Sequence, residues 1–444
     1  MNSNLFFNCK TISVLGASGK MGRGIVLLLS KMILPQNVQS ETEQKIIALD
    51  LSPDGLNDML MYIEIQSTKY AEKNIEWVRK LYETNTDLMR DSDFVLFYSE
   101  EIKNLIQPTS KLEDTYSSEL IFEAVAEKID IKTSLFDKIN RNSDVRPYFF
   151  TNTSSIPIST IESRAQVTGR VIGLHFYNPP PVQKLLEIIR SENTEVRLFK
   201  LAVDISKLLK KTIIHAPDCA GFIGNGQFLR EVSYAANLVE NISEEYGFTG
   251  AILLINELTR DVLLRPMGIF EVVDYVGIDV CSAILSVMQD AFSDEKLNER
   301  FLQNWIKVGY VGGQDTNGYT KNGVFKYESG EISGVFDSHE YQSIKPLDLR
   351  ELSTHNWKDL KSDGSLQKTL KEHFNNLHLS KSPLSEIAVK YGMECNKIGK
   401  YLVAQKIAFS EDDVNQIMTL GFHHLYGPIN SFFDASLPVD SLNK

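Results

Sequence analysis

Cysteine is scarce in this chain: four residues in 444 (Cys9, Cys219, Cys281 and Cys395), far apart and with no C-x-x-C pair. That scarcity excludes a disulfide framework and a cysteine-based metal site, and it fits reduced thiols in a reducing compartment. Long apolar runs are missing as well. The longest, Ile25 to Leu34, is broken by Ser30 and Lys31, well short of the ~20 residues that a membrane-crossing helix needs. Met1 to Lys10 has no charged segment ahead of its apolar residues, so it does not read as a signal peptide. Positive charge is in deficit: 46 Lys and Arg stand against 58 Asp and Glu, a net charge of −12. Such a balance argues against general affinity for nucleic-acid phosphates or anionic membranes, while leaving room for a small anionic ligand in a local pocket. The expectation is a soluble, cytoplasmic protein with no nucleic-acid partner, no membrane insertion and no metal.

What is present is ordinary for a globular chain, with 43% hydrophobic and 23% charged residues. The length suggests about three domains. Thr11–Leu15 reads as a strand, Gly16–Gly24 as a glycine-rich turn, Met21–Met32 as an apolar helix and Lys45–Leu49 as a second strand ending at Asp50. Strand, turn, helix and strand make one βαβ unit. Residues 51–118 read as a long excursion, helical over Met59–Glu83 and irregular over Leu105–Thr115. Strands follow at Leu120–Val125, Tyr148–Thr151, Val171–Phe176 and Leu185–Ile189, with a helix at Lys128–Asn140. Beyond about 216 the rhythm becomes helical, over Phe222–Glu240, Ala251–Leu264 and Phe270–Met288. A glycine-rich stretch at Gly309–Gly334 and a polar joint at Glu340–Asp348 precede a last helical block. The expected domains are therefore an α/β domain at 1–215, a helical domain at 216–340 and a second helical domain at 341–444. A weak repeat relates Phe248 … Arg265-Pro266-Met267-Gly268-Ile269-Phe270 to Phe409 … Leu425-Tyr426-Gly427-Pro428-Ile429-Asn430.

The turn Gly16-Ala17-Ser18-Gly19-Lys20-Met21-Gly22 carries the first chemistry. Glycines allow a tight strand-to-helix turn and let a pyrophosphate approach the N–H groups of a helix N-terminus. Asp50 would accept from the adenosine ribose hydroxyls and repel a 2′-phosphate, which favours NAD over NADP. Gly22 to Asp50 exceeds the usual spacing of ~20 residues, and an elongated connection around Pro35–Gln44 accounts for the excess. A turn without a ligand is the bland alternative.

A second constellation pairs His175, at the end of an apolar strand, with Glu187 inside Leu185-Leu186-Glu187-Ile188-Ile189. A carboxylate in such a run needs a partner. Beside an imidazole it fixes the tautomer and stabilises the protonated form that a general base produces. A buried structural pair is the alternative. Thr151-Asn152-Thr153-Ser154-Ser155 lies at a strand's carboxyl end, where ligands bind in open α/β sheets. Asn225 opens the helical region. Capping roles would explain Ser154 and Asn225 equally.

Together these segments resemble the NAD-dependent 3-hydroxyacyl-CoA dehydrogenase family of fatty-acid β-oxidation. The resemblance adds Ile121–Glu127, Gly173–Pro179 with Lys184–Ile188, Gly221–Asn225, and Arg265–Phe270 leading to Asp274 and Asp279. It covers about residues 11 to 280, and more weakly the tail. It implies a Rossmann-type dinucleotide-binding domain followed by mainly helical domains, and oxidation of an L-3-hydroxyacyl-CoA with NAD. It implies His175 as base, Glu187 as its orienting carboxylate, Ser154 and Asn225 on the reacting oxygen, and Asn178 lining the site. For the cofactor it implies the glycine turn with Gly16, Gly19, Lys20, Met21 and Gly22, together with Asp50, Glu127, Lys132 and Asn152. It also implies a homodimer, or a tandem helical repeat that satisfies the same surface within one chain. There are departures: the turn carries one extra residue, Gly226 stands where an arginine is usual, and residues 51–118 form an insertion. No hydratase domain is visible. A dehydrogenase of a non-CoA 3-hydroxy acid and a catalytically inactive NAD-binding sensor are the other readings. The former would need an arginine in the cleft, with Arg170 and Arg190 flanking the two strands.

Overall fold

Short strands, most of them apolar, assemble into one eight-stranded sheet. The computed structural model describes residues 6, 9–40, 43–298, 300–315, 318–337, 339–345 and 347–434. The chain divides into two compact units, Met1–Asp218 and Cys219–Lys444. The joint expected at 340/341 falls inside the second.

In the first unit the strands are β1 (Thr11–Leu15), β2 (Lys45–Leu49), β3 (Ile106–Thr109), β4 (Leu120–Glu123), β5 (Tyr148–Thr151), β6 (Val171–Phe176), β7 (Leu185–Ile189) and β8 (Thr212–Ala216). Their order is β3-β2-β1-β4-β5-β6-β7-β8. The first six run parallel, β7 is antiparallel to β6, and β8 is parallel to β7. Helices α1 (Lys20–Ser40), α2 (Pro53–Lys73), α3 (Ile75–Leu81), α4 (Asp91–Asn104), α5 (Ile129–Asn142), α6 (Ile158–Arg164) and α7 (Val196–Leu208) connect them. Strands β4, β6 and β7 are buried along their whole length, as expected of sheets covered on both faces.

Three sequence expectations change here. The helix after the glycine turn does not stop at Met32 but continues through Pro35 to Ser40. Its buried face continues too, through Leu29, Ile33 and Leu34, and Asn37 exchanges two hydrogen bonds with the main chain of Gln44. The extra helix length supplies the long Gly22–Asp50 spacing. Residues 106–109, expected to be irregular, form β3. It is an edge strand, the place in a sheet where Pro108 is tolerated. β8, at the other edge, was not foreseen.

The second unit contains α8 (Gly224–Tyr246), α9 (Phe248–Glu257), a π-turn (Leu258–Val262), α10 (Ile269–Val276), α11 (Ile278–Ala291), α12 (Arg300–Lys307), α13 (Trp357–Leu360), α14 (Leu366–Leu379), α15 (Pro383–Ala404) and α16 (Glu411–Leu420). The helix expected over 270–288 is two helices, divided at Gly277 with φ of 113°, a conformation that favours glycine. A small antiparallel sheet of β9 (Phe325–Glu328), β10 (Glu331–Phe336) and β11 (Tyr341–Ser343) replaces the expected glycine-rich loop and polar joint. It is fastened by Asp274, whose carboxyl oxygens accept from the N–H groups of Val324 and Phe325 and from Tyr327 Oη.

The weak repeat has a physical counterpart. Asn256 Oδ1 accepts from the N–H groups of Phe270 and Glu271, and Asn415 Oδ1 accepts from that of Ile429. A Cβ on Gly268 would lie 2.2 Å from Asn256 Oδ1, and one on Gly427 2.1 Å from Asn415 Oδ1. In both places an asparagine on a short helix seats a glycine twelve residues further on. No helix among the described residues is long and apolar enough to cross a membrane.

Candidate active site

The parallel strands bring their carboxyl ends to one edge of the sheet, the usual ligand-binding edge in open α/β folds. Gly16 to Gly22 connect β1 to α1 there. Gly16 has φ of 75°, and a Cβ on it would lie 2.7 Å from Ala124 O. On Gly22 a Cβ would lie 2.0 Å from Gly16 O. Both positions therefore require glycine, and the chain is closed tightly on itself before Lys20 and Met21 open α1. Gly19 N–H donates to Gly16 O at 3.2 Å, which accommodates the extra residue as a local turn. Asp50 follows β2. One of its oxygens accepts from Ser18 N–H at 3.0 Å and the other from Ser52 N–H at 3.2 Å. Ser18 thus ties the glycine turn to the acid. A helix N-terminus, a glycine cradle and a half-buried carboxylate next to it fit an adenine dinucleotide.

Next along the edge is a buried charge cluster. Lys132 Nζ lies 2.8 and 2.9 Å from the two oxygens of Glu123 and 3.1 Å from Glu127 Oε2. Thr151 Oγ1 donates to Glu123 Oε2 at 2.6 Å. Glu127 Oε1 collects Thr153 Oγ1, the N–H groups of Ser154 and Ser155, and Ser155 Oγ, at 2.6 to 3.0 Å. Burial pushes the Glu127 carboxyl up, but Lys132 and these donors outweigh it and hold it below the usual range. Burial likewise pulls Lys132 down, and the two carboxylates outweigh it and keep the ammonium charged. Glu127 and Lys132 stand where the resemblance puts cofactor-side residues, and they also shape the Asn152–Ser155 turn. Asn152 Oδ1 accepts from Phe176 N–H at 2.9 Å and so links that turn to β6.

His175 and Glu187 are direct cross-strand neighbours on β6 and β7. His175 Nδ1 lies 2.6 Å from Glu187 Oε2. Glu187 is fully buried and His175 is 8% exposed. The same oxygen accepts from Tyr177 Oη at 2.9 Å. Burial and the neighbouring carboxylate push the Tyr177 hydroxyl well above its ordinary range, so it remains a donor. Asn178 begins the loop between the strands, and its carbonyl accepts from Gln183 Nε2 at 3.3 Å. Lys211 Nζ donates to Pro180 O and Gln183 O, both at 2.5 Å, and holds that loop.

Most of the predicted residues therefore gather at this edge: the glycine turn with Asp50, Glu127 with Lys132 and Ser154, Asn152 with β6, and His175 with Glu187. Asn225 belongs to the second unit, as the second residue of α8. The sequence reading missed Glu123 and Tyr177. Glu123 carried the same signal that singled out Glu187, an acid inside an apolar strand. Arg170 and Arg190 adjoin the opposite ends of β6 and β7. Arg170 donates to Pro147 O and Asn140 Oδ1, and Arg190 lies over the Phe199 ring at 4.6 Å.

Residues 11–219 match the 3-hydroxyacyl-CoA dehydrogenase NAD-binding domain, and residues 221–322 match the 3-hydroxyacyl-CoA dehydrogenase C-terminal domain. The chain is 26% identical over 312 residues to a probable 3-hydroxybutyryl-CoA dehydrogenase of Bacillus subtilis, covering 70% of this chain and 96% of the relative. It is 28% identical over 292 residues to the human mitochondrial hydroxyacyl-coenzyme A dehydrogenase, covering 65% and 83%. The crystal structure of 3-hydroxybutyryl-CoA dehydrogenase from Escherichia coli K12 shares the fold, with a TM-score of 0.63 and 20% identity over 95% of this chain and 90% of that one.

Proposed function

The chain belongs to the 3-hydroxyacyl-CoA dehydrogenase family of NAD-binding oxidoreductases, and on that premise we propose that it oxidises an L-3-hydroxyacyl-CoA to the 3-ketoacyl-CoA with His175 as general base. The observation that carries this reading is the 2.6 Å contact between His175 Nδ1 and the buried Glu187. Glu187 accepts a hydrogen bond from Nδ1–H, which fixes the tautomer with its lone pair on Nε2. That nitrogen takes the proton of the substrate's 3-hydroxyl as the carbonyl forms. The imidazolium so produced has a carboxylate beside it. Bound NAD supplies the acceptor for the hydride that leaves C3. The glycine turn and Asp50 would hold its adenosine half, with Glu127, Lys132 and Asn152 nearer its other end. Ser154, Asn178 and Asn225 are assigned to orient the substrate, a positioning role that lowers the barrier without chemistry of its own.

A free hydroxy acid would call for a cationic partner for its carboxylate. Arg170 and Arg190 are engaged at the far ends of their strands, which favours the thioester substrate. The experiment is NADH oxidation at 340 nm by the purified protein, with acetoacetyl-CoA and acetoacetate offered separately. Turnover of the thioester alone supports the proposal. Turnover of the free acid moves the substrate class, and NADH binding without turnover of either leaves a sensor.

A further inference from the structure

We infer that Arg230 is a positioning residue for Asn225, acting through the first turn of α8; this rests on the role proposed for Asn225 above. The approach to α8 is unusual. Gly221 and Phe222 are both left-handed, with φ of 78° and 49°, a conformation that a bulky residue keeps only where its surroundings enforce it. Gly226 N–H closes this loop on Gly221 O at 3.1 Å. Asn225 therefore opens α8 directly after a bent loop, and its next residue, Gly226, has no side chain.

Arg230 packs beside Gly226. A Cβ on Gly226 would meet Arg230 Nη1 at 3.5 Å, beside Leu402 and Ile407. The same Nη1 donates to Gly226 O at 2.9 Å. The other side of the guanidinium is gripped by Glu295, through Nε at 2.7 Å and Nη2 at 2.6 Å. Tyr401 Oη donates to Glu295 at 2.9 Å. Phe292 and Tyr401 lie 4.9 and 5.4 Å from the guanidinium carbon. Arg230 is 5% exposed. The segment after α11 and helix α15 thus fix a planar fork whose free corner reaches the carbonyl next to Asn225. A lysine lacks this fork and cannot make the bidentate contact.

The test is a double-mutant cycle on kcat for NADH oxidation with acetoacetyl-CoA, using Asn225→Ala, Arg230→Gln and the double variant. NADH affinity and Tm are measured on each. Each single variant is expected to lower kcat about tenfold or more, the scale of a misplaced substrate contact. The double variant is expected to be no slower than Asn225→Ala to within about twofold, because the two residues act as one. Arg230→Lys should fall between. Should Arg230→Gln fold poorly, Glu295→Gln replaces it in the cycle. Losses that multiply in the double variant, or an Arg230→Gln enzyme with normal kcat, overturn the inference alone. Normal kcat in Asn225→Ala overturns the role of Asn225 and the inference with it.

Discussion

Glu187→Gln separates the charge of the carboxylate from its volume. The side chain is fully buried and accepts from both His175 and Tyr177, so an amide of equal size leaves the packing in place. Two effects follow. A unit charge about 4 Å from the imidazolium, at an effective dielectric constant of about 20, is worth about 4 kcal/mol. Losing it slows the step about 10³-fold. The amide N–H₂ can also donate to Nδ1, which puts the imidazole proton on Nε2 and removes the base. The assay is steady-state NADH oxidation with acetoacetyl-CoA, with NADH affinity followed by fluorescence. The expected result is kcat lower by 10²–10⁴, the range of general-base catalysis, with NADH affinity unchanged. A loss below tenfold, or an equal loss of NADH affinity, refutes the assignment of Glu187 as the orienting carboxylate.

Asp50→Ala should relax the preference for NADH over NADPH in kcat/KM, since it removes the carboxylate assigned to repel a 2′-phosphate; an unchanged ratio means that another group reads the ribose. Lys132→Met leaves Glu123, which is fully buried, without its cation. The cost is about 3–5 kcal/mol, or about 10 °C in the melting of the first unit, and a shift under about 2 °C contradicts it. Asp274 is fully buried and its carboxyl is pushed up to about 8 by that burial, against the donors from Phe325, Val324 and Tyr327. The folded chain then holds a proton that the unfolded chain releases near pH 4. This contribution to stability is complete at acid pH and is lost as pH rises through 8. Asp274→Asn should flatten that part of the Tm–pH profile, and an unaltered slope assigns it to another group.

The parts of the fold that the sequence showed best are those where one physical requirement dominates. β1 and β2 are apolar runs ending at a glycine and an acid, and a closed backbone allows little at Gly16 and Gly22 except glycine. Glu187 was legible because an acid in an apolar strand demands a partner, and the topology provides His175 opposite it. Glu123 follows the same logic within Leu120-Ile121-Phe122-Glu123, yet its partner Lys132 lies on α5 and not on an adjacent strand, so no short-range spacing announces it. β3 and β8 were hidden because edge strands need only half a hydrogen-bond ladder and tolerate polar residues and proline. β9 to β11 are short, of mixed polarity, and fastened by Asp274, about fifty residues away. The helix through Pro35 shows packing overriding a local breaker, since Ile33 and Leu34 keep the buried face intact. The bond from Arg230 to the Gly226 carbonyl likewise follows from no short-range sequence pattern.

The central claim is that His175 removes a proton from a 3-hydroxyacyl-CoA while NAD takes the hydride. Its most direct test is the rate of NADH oxidation with acetoacetyl-CoA by the wild-type chain and by His175→Ala, with NADPH run in parallel. The account predicts turnover with NADH, little with NADPH, and a loss of at least about 10²-fold in His175→Ala with NADH binding retained. Turnover that survives the substitution within tenfold would contradict it.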